Sequence, residues 1–149
     1  MADRVSLLLR RSLLSAVLLA PSGVLPTIPQ ESFVVVVNTA NPVASLTRQQ
    51  VSDIFMKRMT EWPAGGSIHP VDLPAVSATR DAFSRAVHGR PGSAVASYWG
   101  QQVFSGRAVP PPQRPTDRAV MQYVRSDAAA IGYVSAGSVT GEVKTLTVN

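Results

Sequence analysis

An uninterrupted run of apolar residues, FVVVV at positions 33–37, constrains the fold most strongly. Such a run is typical of a strand that is buried on both faces, and Asn38 ends it. A strand covered on both faces needs packing layers above and below it, so the run indicates a layered α/β structure. It also favours parallel neighbours, because parallel sheets are the ones that usually bury both faces.

Helix signals follow this strand in regular order. Thr47 and Gln50 have the spacing of a capping box and predict a helix that presents Val51, Ile54 and Phe55 on one face. Later capping residues, apolar periodicity and glycines predict three more helices, at about residues 78–88, 93–104 and 117–124. Short strands are predicted at residues 67–73, 130–135 and 143–148.

The alternation of strands and helices predicts a three-layer α/β lobe, with a mostly parallel sheet flanked by helices. In such sheets ligands bind where strand ends meet helix starts. Asn38 and Thr39 end the first strand and Ser77 follows the second, so the pattern places all of them on one rim. Residues 32–149 are expected to form a single domain, because a chain of 149 residues suffices for one core.

The first 31 residues differ in character from the rest. A basic start that includes Arg10 and Arg11 precedes an apolar run from Leu13 to Ala20, and proline and small residues follow, which is the layout of a secretory signal peptide. The run is shorter than the ~20 residues that a membrane span needs. We therefore interpret residues 1–31 as a signal peptide or N-terminal anchor. The protein is expected to be periplasmic or otherwise exported, and to touch a membrane only through an uncleaved leader.

The composition argues against several kinds of site. The chain has no cysteine, which excludes disulfides, thiolate metal ligands and a cysteine nucleophile. His69 and His88 have no partners at metal-ligand spacing, and no nucleophile elbow indicates a hydrolase. The sequence thus predicts a protein that is not an enzyme and uses no metal and no cofactor. The net charge of +5 comes from scattered arginines, which favours small anions over nucleic acid.

A motif of small residues opens the second predicted helix. Ser77, Ala78 and Thr79 stand where a hydroxyl group either caps the helix backbone or contacts a bound anion. A helix start offers unpaired amide groups and the positive end of the helix dipole, and both suit an oxyanion. Capping and anion binding are both compatible with these residues.

From Phe33 onward the sequence resembles the periplasmic phosphate-binding protein of phosphate ABC transporters, in particular the lobe that begins with the crossing strand. Four motifs carry the resemblance across nearly all of residues 33–148: VVVVNTANPVASLTRQQVSDIF, TEWPAGG, SATRDAF and AIGYVSAG. The resemblance implies a lobe of the type II periplasmic binding fold. It also implies a solute-binding protein rather than an enzyme.

In that family the motif aligned with SATRDAF is typically Ser-Gly-Thr, and its hydroxyl and amide groups hold phosphate. The resemblance therefore implies that Ser77, Ala78 and Thr79 contact inorganic phosphate or a similar oxyanion, with Arg80 as a substitute guanidinium. Asn38 and Thr39 are expected to face the same site. An ABC permease would be the partner of such a protein.

Two departures from the family pattern leave a second interpretation open. Leu73 stands where the family has an arginine that grips phosphate through two hydrogen bonds, and Ala78 replaces a glycine that allows close approach. The relatives also close a second lobe over the ligand, and residues 33–148 contain no counterpart of it. The alternative is a degenerate lobe that acts in the cell envelope as a protein-interaction or structural module without a ligand.

Overall fold

The computed structural model describes residues 32–149, so the predicted signal peptide or anchor lies outside the described residues. The strands are β1 (Phe33–Val37), β2 (Ser45–Leu46), β3 (His69–Pro70), β4 (Ala130–Ser135) and β5 (Lys144–Val148). The helices are α1 (Arg48–Phe55), α2 (Ala78–Phe83), α3 (Gly92–Phe104) and α4 (Asp117–Ser126); a π-helical turn, Ser84–His88, extends α2. Within this part of the chain, no helix is both long and apolar enough to cross a membrane.

The strands form one sheet in the order β2-β5-β1-β4-β3, with β1 at the centre. Val35, Val36 and Val37 are buried, as their apolar sequence predicts. Both neighbours run antiparallel to β1, with Val35 opposite Tyr133 of β4 and Leu146 of β5. The short edge strands β2 and β3 pair in parallel with β5 and β4. The predicted mostly parallel sheet is therefore wrong: the sheet is mixed, because an apolar run reports burial on both faces and not strand direction.

Helices cover both faces of this sheet, which confirms the α/β class and the layered arrangement. Successive residues of β4 point to opposite faces. Gly132 faces α4, since a Cβ added to it would meet Val120. Tyr133 faces α2, where its ring stacks on Phe83 with a centroid distance of 3.8 Å. The ring of Phe55 contacts both of these rings edge-on, so α1 lies on the same face as α2.

Local signals set the helix ends where the sequence predicts them. Thr47 and Gln50 form the expected capping box at the start of α1, and Thr116 caps α4. Gly89 follows the π-helical turn and Gly106 follows α3, with φ angles of 66° and 68°. Glycine adopts this left-handed conformation without the steric cost of a Cβ, which explains why the helical segments stop there.

Two details differ from the sequence expectation. The apolar periodicity of α3 favours a core position for Val103, but this residue is 53% exposed. Val95 and Trp99 of the same helix pack with Met56 in a small second core, and the last turn of α3 extends beyond these partners. The strand at Ser45–Leu46 was not predicted, because its pairing with the distant β5 leaves no local signal.

Gly132 is a sensitive test of this packing. A Cβ there would lie 2.6 Å from Cγ1 of Val120 and 3.0 Å from Cγ1 of Val71, so side chains approach this position closely. We expect Gly132→Ala to lower the free energy of unfolding by about 1–3 kcal/mol, because the core must shift to accept a methyl group. Denaturant unfolding of the full chain measures this change.

The matched control is Gly100→Ala in α3, where a Cβ would meet no atom within 4 Å. Alanine there should raise the free energy of unfolding by about 0.5–1 kcal/mol, because glycine is a poor residue inside a helix. Equal stability of the Gly132 and Gly100 variants would contradict the close packing of α4 on β4.

Candidate functional site

The sheet topology separates the predicted site residues onto two opposite rims. Because β1 is antiparallel to β4 and β4 is parallel to β3, the end of β1 lies beside the start of β3. Asn38 and Thr39 therefore lie on one rim, and Ser77, which follows β3, lies towards the other. The five residues of β1 separate these rims by roughly 16 Å. The expected shared rim is wrong, because that expectation assumed parallel strands.

Asn38 is occupied by the fold. Its Nδ2 donates hydrogen bonds to the carbonyl oxygens of Val124 and Arg125, both at 2.9 Å, and its Oδ1 accepts one from the amide of Ala40. The side chain thus satisfies carbonyl groups at the end of α4 that have no partner inside the helix. Thr39 is exposed in the adjoining turn. Neither residue is placed to share a ligand with the start of α2.

Three predicted residues do come together at the start of α2. Ser77 is the N-cap, and its hydroxyl oxygen accepts a hydrogen bond from the amide of Arg80 at 3.2 Å. Ala78 is exposed, and its amide has no hydrogen-bond partner within residues 32–149. Thr79 is buried. The start of α2 thus combines an observed cap with an amide donor that no group of residues 32–149 uses, at the positive end of the helix dipole.

Arg80 points into the lobe, contrary to the expectation that it offers a guanidinium to a ligand. Its side chain is 3% exposed, and Nη2 lies 3.1 Å from Oδ2 of Asp72. Nη1 donates to the carbonyl oxygen of Leu73 at 3.0 Å. The positive charge of Arg80 is therefore neutralised by the carboxylate of Asp72.

Asp72 and Tyr133 complete a buried cluster with Arg80, which we call the buried triad. Oδ1 of Asp72 accepts hydrogen bonds from the hydroxyl of Tyr133 and from the amide of Leu73. Burial raises the pKa of Asp72, and Arg80 together with these two donors opposes that rise. Burial and the neighbouring Asp72 raise the pKa of Tyr133, so its phenol group stays protonated and can donate.

Sequence reasoning missed the buried triad and also missed that Leu73 has a packing role. The side chain of Leu73 is 2% exposed and belongs to the main core, so this position serves packing. An acidic residue beside a strand was a visible signal, but its partner Tyr133 is 61 positions away. No local pattern connects two residues that far apart.

The two histidines each pair with a neighbouring side chain. Nδ1 of His69 lies 2.6 Å from Oδ2 of Asp127, and this contact is the main cause that lowers the pKa of Asp127. Nδ1 of His88 lies 2.8 Å from Oγ of Ser52. In the described part of the chain, no group of three or more His, Asp or Glu side chains could hold a metal ion.

Comparison with known proteins relates the lobe to binding proteins. Residues 31–148 match the family model described as a PBP superfamily domain. No curated protein matches the sequence. The solved structures that resemble it include an ABC-type phosphate transport receptor from Vibrio cholerae, with 26% identity and a TM-score of 0.61. That alignment covers 79% of this chain and 46% of the receptor.

Two further structures show the same fold. A Clostridium perfringens protein, assigned as a phosphate ABC transporter substrate-binding protein and solved with bound phosphate, has 24% identity and a TM-score of 0.63, covering 79% of this chain and 45% of that one. A Planctomyces limnophilus protein assigned as phosphate-binding has 16% identity and a TM-score of 0.60, covering 80% and 42%. The predicted binding-protein fold is confirmed. The chain spans less than half the length of each of these three proteins.

The buried triad predicts a large stability difference between two arginines. We expect Arg80→Met to lower the free energy of unfolding by about 3–5 kcal/mol, because it leaves the carboxylate of Asp72 buried without its partner. The deficit should shrink as the pH falls toward the pKa of Asp72, because protonation removes the uncompensated charge. Denaturant unfolding at several pH values measures both effects.

Arg85→Met is the matched control, because Arg85 pairs with Asp81 at an Nε–Oδ2 distance of 2.7 Å on the exposed surface. Water screens such a pair, so this substitution should change stability little at any pH. A similar loss in both variants would show that the Asp72–Arg80 pair contributes no more than an exposed one.

Proposed function

The chain belongs to the PBP superfamily, and we propose that it is an exported, non-enzymatic lobe that binds a small oxyanion, inorganic phosphate first, at the start of α2. The amide of Ala78, an exposed residue, has no hydrogen-bond partner within residues 32–149, and this is the observation that carries the proposal. The hydroxyl of Ser77 accepts from Arg80 and still has its own hydrogen to donate to a ligand. Thr79, which is buried, is the third residue of the Ser77–Thr79 motif at the start of the helix.

The likeness to the Vibrio cholerae phosphate transport receptor supports both the ligand class and the partner. Phosphate is therefore the first oxyanion to test, and an ABC permease is the partner that this function would require. Export through the leader in residues 1–31 would place the lobe where such a permease can receive its ligand.

The local chemistry predicts weak binding. Leu73 lies in the core and Arg80 is turned toward Asp72, so neither supplies the two-bond guanidinium contact that strengthens phosphate binding. Val76 beside the site is 95% exposed, so water competes for every hydrogen bond at this open surface. We expect a dissociation constant on the order of 1 mM, which corresponds to about 4 kcal/mol.

Ala78→Pro tests the proposal at a single donor. Proline removes the amide hydrogen at the first position of the helix, where proline is well tolerated. Ser77 already has a ψ of 128°, within the range that a residue before proline needs. We expect an intact fold with phosphate affinity at least about tenfold weaker, because a hydrogen bond to a charged group contributes ~1.5–3 kcal/mol. Calorimetric titration of the full chain with phosphate and sulfate measures the affinity.

Ala78→Gly is the control, because it keeps the amide and restores the residue type that the resembling family has there. Its affinity should equal or exceed that of the unaltered chain. The proposal fails if the unaltered chain shows no heat at millimolar anion, or if the proline and glycine variants bind equally well.

A second candidate function is that of an envelope interaction module, favoured by exposed apolar side chains. Val76 next to Ser77 is 95% exposed, and Phe104 at the end of α3 is 96% exposed. Apolar side chains that protrude in this way are typical anchors of protein interfaces. In this function the lobe has kept its fold, lost its ligand and binds a protein partner.

Crosslinking in the envelope distinguishes this second function. Val76→Asp combined with Phe104→Asp should abolish a specific crosslinked product, because each aspartate places a charge in the proposed contact. The free energy of unfolding should stay nearly unchanged, because both positions are exposed. Finding only free monomer for the unaltered chain would count against the module.

A further inference from the structure

A small polar cleft lies near the far end of the second helical segment from Ser77. Its volume is about 160 Å³. Its polar lining comes from α1, the π-helical turn, the loops that follow each of them, and α3: Gln49, Ser52, Arg58, His88, Arg90 and Tyr98. The proposed oxyanion site at the start of α2 uses none of these side chains. The cleft is therefore a separate feature that needs its own explanation.

An uncommon backbone conformation brings Arg58 to this cleft. Lys57, directly after α1, has a φ of 59°, in the left-handed region that residues with a Cβ rarely adopt. The amide of Lys57 bonds to the carbonyl of Ile54, and the amide of Arg58 bonds to that of Asp53 at 2.7 Å. These bonds fold the chain back over the end of α1, so that Arg58 lines the cleft.

The π-helical turn supplies a second part of the lining, Val87 and His88. Such turns are rare and occur often at functional sites, because they shift the side chains that follow them. Here the turn ends at His88, whose Nδ1 lies 2.8 Å from Oγ of Ser52. Gly89 then takes a left-handed conformation and redirects the chain, and the next residue, Arg90, lines the cleft.

The charged groups around the cleft leave it positive. Arg90 is exposed, and its side chain makes no hydrogen bond or ion pair within residues 32–149. Arg58 has a loose partner in Asp53, with an Nη1–Oδ1 distance of 3.7 Å. Asp81 pairs with Arg85 instead. The two guanidinium groups of the cleft therefore face at most one carboxylate.

Burial and this positive charge both lower the pKa of His88. Its pKa is lowered to about 4, first by burial and then by repulsion from Arg80, Arg58 and Arg90. The ring is therefore neutral at physiological pH. It can exchange a hydrogen bond with Ser52 and offer its other nitrogen to the cleft.

We propose that this cleft is a second binding site, for a small tetrahedral oxyanion held by Arg58, Arg90 and the Ser52–His88 pair. Guanidinium groups match phosphate and sulfate oxygens with paired hydrogen bonds. The volume of about 160 Å³ is well above the ~10–15 Å³ that a single water molecule requires, so the cleft has room for one tetrahedral group. Inorganic phosphate and the phosphomonoester headgroup of a lipid share this chemistry.

The imidazole of His88 is a built-in reporter of occupancy. In an NMR pH titration of the full chain, sulfate should raise the pKa of His88 by about one unit, because a nearby anion stabilises the imidazolium form. Sulfate suits this pH range because it stays doubly charged. Sodium chloride at matched ionic strength is the control for simple screening, and an equal rise in chloride would overturn the proposal.

Arg58→Gln combined with Arg90→Gln tests the ligand set. Without anion the double variant should already have a higher His88 pKa, because two repelling cations are gone. Added sulfate should then raise it no further than chloride does. Arg48→Gln combined with Arg107→Gln removes the same charge from exposed positions outside the cleft, and it should keep the sulfate response. A full response in the Arg58/Arg90 variant would overturn the site.

The source of the oxyanion and the independence of the site are tested in parallel. Sedimentation with phosphatidylcholine vesicles that contain phosphatidic acid identifies a lipid headgroup if the Arg58/Arg90 variant alone loses binding. A sulfate response without vesicle binding identifies a free anion. Ala78→Pro should leave the His88 response intact, whatever it does to affinity at α2. Loss of the response in that variant would assign the anion to α2 and overturn the cleft.

Discussion

The ion pair between Asp72 and Arg80 determines the geometry of the region where a ligand was expected. It joins the segment after β3 to the first turn of α2, and the hydroxyl of Tyr133 adds a contact from β4. A charge inside the core is tolerated only with its partner, so α2 cannot shift away from β3 without exposing or stranding one of the two groups. The first turn of α2 is thereby held rigidly, with Ala78 turned outward.

Tyr133 couples this polar contact to aromatic packing. Its ring stacks on Phe83, and its hydroxyl donates to Asp72. Arg80 and Phe83 are three residues apart on α2, so one side of a single helical turn makes both contacts. The arrangement fixes both the position and the rotation of α2 on the sheet. It also commits the guanidinium of Arg80 to the fold, which removes it from ligand binding.

The sequence predicted features that depend on residues close together in the chain. The capping box of Thr47 and Gln50, the cap at Ser77 and the stop at Gly89 belong to this class, because their hydrogen bonds and backbone angles are local. The direction of β1 relative to its neighbour is set by its pairing with β4, about a hundred residues away. No local pattern encodes that pairing. The motif resemblance supplied the overall fold but not the strand directions.

The predictions for the candidate site also succeeded for local contacts and failed for long-range ones. The cap at Ser77 was predictable as a local hydrogen bond, whereas the inward turn of Arg80 depends on Asp72 and on the distant Tyr133. Asn38 was misplaced because its side chain bonds to the end of α4, 86 and 87 positions along the chain. Side chains whose roles are set by long-range partners were the ones that sequence reasoning misjudged.

The distribution of positive charge links the two proposed anion sites. The helical segment from Ala78 to His88 has an uncharged amide site at its start. Near its end lie two exposed arginines from outside the segment, Arg58 and Arg90. The negative end of the helix dipole would repel an anion from the second location, but two full charges outweigh a partial charge of about one half. Arginines at a surface cleft stay hydrated and cost no desolvation, unlike Arg80. Binding at either place is therefore expected to be reversible and sensitive to salt.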